Sequence, residues 1–184
     1  MRPPPTKTAE NADAVGHVIA LLVRFPEIAT IASHPTSGSI VLSFVVGRRL
    51  DGAATRSVRD AVSEHVRTLL ATGGEEPGIL SVTCELDERV TFVRVARDAQ
   101  TLTREELAML TVLFADRYGD ALVKSPAQDD AFDEDPAAAD ESVDCALEAL
   151  RDTTLQKSLV GFREEKRVVV YFLRARKKAK ASAR

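Results

Sequence analysis

The sequence predicts an α+β protein: an antiparallel sheet carrying its helices on one face, assembled from αββ units. Two observations predict this. A stretch with apolar residues at helical spacing is followed by two β-rich runs near residues 13–46, again near 53–97 and again near 139–173. Pro, Gly or acidic residues separate the two runs of each pair, as hairpin connections require.

In the first unit Val15, Val18, Ile19 and Leu22 form an apolar stripe on a helix over 13–24, which Pro26 ends. Residues 28–33 and 39–46 are then strands joined through His34-Pro35-Thr36-Ser37-Gly38. In the second unit Asp51 is the N-cap of a helix striped by Val58, Val62, Val66 and Leu69 and closed by Gly73-Gly74. Strands over 79–86 and 89–97 follow. A turn at Asp87-Glu88 sets Val82 opposite Val93 and Cys84 opposite Thr91. One face is then Leu80, Val82, Cys84, Thr91, Val93 and Val95, and the other is Ser81, Thr83, Glu85, Val90, Phe92 and Arg94.

Thr103-Arg104-Glu105-Glu106 has capping-box form: the threonine accepts a backbone N–H and the glutamate reaches back to the cap. The helix it starts carries Leu107, Leu110, Leu113, Phe114 and Tyr118, stops at Gly119, and leads to a short strand over 121–124. A fourth helix with Val143, Leu147 and Leu150 precedes a last hairpin, 159–164 and 167–173. Residues 39–124 also parse as β-α-β-β-α-β, the ferredoxin-like order. That parse conflicts with pairing of the strand at 39–46 to the one before it.

The domain organisation expected is a disordered leader over 1–11, a main α+β domain over 12–126, an acidic linker over 127–138, a helix-hairpin unit over 139–173 and a basic tail over 174–184. Asp129, Asp130, Asp133, Glu134 and Asp135 repel one another in the linker, where Phe132 is the only large apolar residue.

Composition narrows the function classes. The chain is 45% apolar and 29% charged with a formal charge of -3, so its global charge does not attract nucleic acid or anionic membrane. No apolar run is long enough to span a bilayer. With only Cys84 and Cys145, a disulfide framework or zinc site is not expected, and two buried free thiols in a bacterial cytoplasm are. His17, His34 and His65 lack metal-ligand spacing, and no nucleophile elbow or phosphate loop is present. No catalytic residue, metal or cofactor is therefore assigned.

What remains is a candidate ligand or partner face of Phe92, Arg94, Ser81 and Thr83, mixing apolar, cationic and hydroxyl groups. The resulting expectation is a non-enzymatic protein-interaction or regulatory module, binding a protein partner, a second copy or a small anionic ligand. Two alternatives stand beside it. A nucleic-acid-associated protein would use Arg174, Arg176, Lys177, Lys178 and Lys180 of the tail. A small enzyme would assemble its site from distant residues, with His34, Glu85 and Arg94 the first to test.

Overall fold

A computed structural model describes residues 7–124, 136–152, 157–164 and 167–173. Helix α1 spans Lys7–Arg24, strands β1 and β2 span Thr30–His34 and Ser39–Val46, and α2 spans Gly52–Thr72. Strands β3 (Leu80–Asp87) and β4 (Val90–Asp98) follow, then α3 (Arg104–Tyr118), α4 (Pro136–Leu150), β5 (Leu159–Glu164) and β6 (Arg167–Phe172). The helix α1 begins at Lys7 rather than Asp13 and so takes in residues 7–11, which the sequence reading assigned to a leader. The basic tail and residues 127–135 of the linker lie outside the described residues. No helix among the described residues is long and apolar enough to cross a membrane.

The six strands form one antiparallel sheet in the order β3-β4-β2-β1-β5-β6. Each αββ unit supplies one hairpin, and the three hairpins lie side by side. Strand β5 pairs with β1, so the C-terminal hairpin continues the same sheet. The conflict over the ferredoxin-like order resolves against it. Strand β4 does lie between β2 and β3, antiparallel to both, as in a split β-α-β unit. The other side of β2 is taken by β1, its partner across a short turn, and Leu122 contributes only an isolated bridge to Val46 instead of a strand. A hairpin partner four residues away in sequence closes its loop at far lower entropic cost than a segment beyond two helices.

All four helices share one face of the sheet. That face presents Ile40, Leu42, Phe44 and Val46 of β2 and Thr91, Val93, Val95 and Arg97 of β4, all buried. Helix α3 reaches it through Phe114, whose ring stacks on Phe44 at 3.9 Å. Helix α1 lies against Gly161 of β5 through Val18 and Leu22. Helix α2 buries Val58, Val62, Val66 and Leu70, so its stripe ends at Leu70 and not at Leu69. Helix α4 adds Val143, Ala146, Leu147 and Leu150 to the same core.

The caps follow from sequence. The Asp51 carboxylate accepts the Ala54 N–H at 2.7 Å, and the Thr103 hydroxyl accepts the Glu106 N–H at 3.2 Å. Gly119 ends α3 with φ 49, the left-handed region that glycine occupies without steric cost. In the β3–β4 hairpin Asp87 pairs with Val90, so the turn is Glu88-Arg89, with Glu88 at φ 43. Val82 therefore faces Val95 and Cys84 faces Val93, a register two residues away from the predicted one. Side chains alternate with period two, so this shift leaves both predicted faces intact.

Candidate functional site

The face of the sheet opposite the helices is open among the described residues. Phe92, Arg94, Ser81 and Thr83 all lie on it. Arg94 stands opposite Thr83 and Ser43, Phe92 opposite Glu85 and Val45, and Ser81 opposite Ala96. Ser81, Thr83 and Arg94 are exposed and Phe92 is half-buried. The predicted quartet is thus brought together, but at the rim. Toward the middle of the sheet the face carries Val41 and Val45 of β2, Ala32 of β1, and Val160 and Phe162 of β5, with Ser43 of β2 and Thr30 of β1 among them. Beyond them Val169 and Tyr171 of β6 continue the surface, and the rings of Phe162 and Tyr171 stack at 5.7 Å. The Phe92 end is legible in the sequence because both strands of that hairpin are adjacent in the chain and alternation alone fixes its faces; the extension of the same surface by the first and third hairpins depends on pairing between distant segments.

Arg94 and Arg167 on this face are each paired with a carboxylate. Arg94 Nη1 forms an ion pair with Glu85 Oε2 at 2.5 Å, and Arg167 Nη2 donates to Glu164 Oε2 at 3.0 Å. Such exposed pairs contribute roughly 0–1 kcal/mol each to stability, but they neutralise both arginines where an incoming anion would meet them. His34, grouped with Glu85 and Arg94 as residues to test for an enzyme, is not brought to them. It stands opposite Ser39 at the start of β2, whereas Arg94 faces Ser43 in the middle of that strand.

The strongest electrostatic arrangement lies on the helix side. Arg97, at the end of β4, is completely buried, as is Glu106 in the first turn of α3. Its Nε donates to Glu106 Oε1 at 2.6 Å and its Nη2 to Glu106 Oε2 at 3.0 Å. The Nη1 group donates to the Ile79 carbonyl at 2.7 Å and to Asp98 Oδ1 at 2.5 Å, and Nη2 donates also to Thr101 Oγ1 at 2.9 Å. A guanidinium has five N–H donors, and all five are used. Asp98 is equally occupied: its Oδ1 also accepts the Ile79 N–H, and its Oδ2 accepts the Thr101 N–H and hydroxyl. The network ties the entry of β3, the end of β4 and the start of α3 together and leaves Arg97 no donor for a ligand.

The structure corrects the capping-box reading here. Thr103 caps α3 as predicted, but the Glu106 side chain turns to Arg97 instead of back to the cap. A signal for this was present in the sequence. Arg97 follows Thr91, Val93 and Val95 on the core side of β4, and Glu106 shares its side of α3 with Leu107 and Leu110. Opposite charges on two apolar faces joined by a short loop indicate a buried pair.

Burial alone would raise the Asp98 carboxyl, but hydrogen bonds from Thr101 and the Ile79 amide, with the charge and bonds of Arg97, outweigh it and hold it well below the usual carboxylate range. Burial raises Glu106, which Arg97 opposes and the negative Asp98 reinforces. The two carboxyls therefore act with opposite sign. Asp98, depressed in the folded state, stabilises above its unfolded value of about 4, and that contribution is lost as pH falls toward its folded value. Glu106, raised, contributes most below about 4.3 and loses that contribution as pH rises through its folded value. Asp98→Asn is expected to lower stability at pH 7, by a margin that holds down to about pH 5 and shrinks as the pH is lowered below about 4, in urea unfolding followed by circular dichroism.

The remaining reactive groups offer little chemistry. Cys84 is half-buried on the helix side, and burial pushes its thiol up against the opposing influence of Arg59, which keeps it protonated at neutral pH. Cys145 is exposed on α4, where a buried thiol was expected. Nε and Nη2 of Arg163 are buried with no hydrogen-bond partner, and burial lowers the guanidinium while Glu27 opposes the shift. Among the described residues no group of three or more His, Cys, Asp or Glu side chains could hold a metal ion. No protein-family model, curated protein or solved structure matches the chain.

Proposed function

We propose that the chain is a non-enzymatic interaction module that binds a partner protein on the open face of its sheet. One observation carries this reading. An antiparallel sheet covered on one side turns polar residues toward water on the other. Strand β3 follows that rule with Ser81, Thr83, Glu85 and Asp87, and Thr30, His34, Ser39, Ser43 and Arg94 keep polar groups on β1, β2 and β4. The outward positions of β2, β1, β5 and β6 include Val41, Val45, Ala32, Val160, Phe162 and Tyr171. Val41, Ala32, Val160 and Tyr171 stand side by side across four adjacent strands, and an exposed apolar patch bordered by polar residues is the signature of a protein-binding surface. The paired arginines favour an apolar protein surface over a phosphate backbone, because a phosphate would have to displace Glu85 or Glu164 to reach them.

Affinity capture from extracts of the source organism tests this when run beside two folded variants, Phe92→Lys and Val160→Lys. Lysine at 92 stands opposite Glu85, so a favourable cross-strand pair replaces the lost ring and the fold is retained. Proteins held by the native chain and lost from both variants, at unchanged melting temperature, support the reading. An identical captured set on all three chains refutes it.

A further inference from the structure

We propose that the outer edge of β6 is a self-association surface at which a second copy of the chain pairs antiparallel about a twofold axis, joining the two six-stranded sheets into one. This concerns an edge of the sheet and stands independently of what occupies the open face.

Strands β3 and β6 form the two edges of the sheet. An edge strand exposes unpaired N–H and C=O groups, and proteins guard such strands with prolines, glycine bulges or charges. The edge at β3 is guarded: its last three residues are Glu85, Leu86 and Asp87, and Glu88 follows in the turn. The edge at β6 is less guarded: among the described residues the strand reads Arg-Val-Val-Val-Tyr-Phe, with no proline, glycine or charge after its first residue. Three consecutive large apolar side chains, Tyr171, Phe172 and Leu173, are exposed at its end. The run has the β-branched and aromatic composition that pairs most readily with another strand.

A second copy fits better than an unrelated strand for two reasons. Facing residues in an antiparallel pair lie on the same side of the sheet, so centring the twofold on Val170 sets Tyr171 opposite the other copy's Val169 and Phe172 opposite its Val168. Both are aromatic-to-β-branched pairs, the favourable cross-strand combination. This register also keeps the helices of both copies on one side and makes the two open faces continuous. Pairing of β6 with the β3 edge of another copy would be heterologous and open-ended, and the acidic residues of β3 oppose it, whereas the twofold contact closes at a dimer.

Sedimentation velocity over a concentration series tests the inference on the full chain. The native protein is expected to dimerise, and Tyr171→Lys, at an exposed position that leaves the monomer fold intact, to weaken the dimer by about tenfold or more. Phe92→Lys, far from this edge, is expected to leave the dimer unchanged. A native chain that stays monomeric up to about 100 μM overturns the proposal. So does a dimer that survives Tyr171→Lys, or one lost with Phe92→Lys instead, which would place the contact on the open face. Loss of partner capture with retained dimerisation would separate this inference from the proposed function.

Discussion

Arg97→Met is expected to lower the free energy of unfolding by about 3–5 kcal/mol, the cost of leaving buried carboxylates without their cation. Removing the guanidinium withdraws two hydrogen bonds from Glu106, one each from Asp98 and the Ile79 carbonyl, and one from Thr101. Glu106 has no exposed side-chain surface through which water could replace them. Asp98 suffers less, because the Ile79 amide and Thr101 still donate to it. The damage should therefore concentrate on Glu106. Adding Glu106→Leu to Arg97→Met is expected to recover most of the loss, since replacing a buried ion pair with apolar residues of similar volume is often neutral or stabilising. Chemical denaturation of the two single variants and the double variant checks this as a thermodynamic cycle. Equal damage in the Arg97→Met single and the double variant would show that Arg97 matters through Asp98 and Ile79, as a tie between strands, and not through Glu106.

This network also marks where sequence reasoning stopped. Helices and strands were legible because each depends on local periodicity and on caps such as Asp51 and Thr103, whose partners lie three residues away. The hairpins were legible for the same reason. The order of hairpins in the sheet was not, because the pairing of β1 with β5 joins residues more than 120 positions apart and no local pattern encodes it. The candidate face inherited that limit. Ser81, Thr83, Phe92 and Arg94 were found together because one hairpin holds them all. The apolar row from Val41 through Ala32 and Val160 to Tyr171 came into view only when the hairpins were set side by side. Glu106 failed differently. Its position three residues after Thr103 satisfied a helix-capping pattern, and a competing tertiary partner took its side chain.

Gly161→Ala tests the least local of these contacts, the seating of α1 on the C-terminal hairpin. Glycine is a poor strand residue, and here it sits within β5 at a position facing the helices, opposite Ile31 and Val170. A Cβ at this position would collide with Val18 Cγ1 and lie 3.0 Å from Leu22 Cδ1, so α1 or the strand must move. Val18 cannot swing aside cheaply, because a β-branched side chain in a helix has one strongly preferred rotamer and this one is fully buried. Overpacking of this kind costs typically about 1–3 kcal/mol, and the alanine variant is expected to unfold earlier in thermal denaturation by a corresponding margin. Val18→Ala alone should also destabilise, by leaving a cavity. Combined, the loss of the two Val18 methyls clears the space that the new Cβ needs, and the double variant is expected to be more stable than the sum of the single losses predicts. Strict additivity would mean that Gly161 is required by backbone conformation and not by the approach of α1. With φ outside the positive range that glycine alone favours, that alternative has no support at this residue, and close approach of the helix is the reason the strand carries no side chain there.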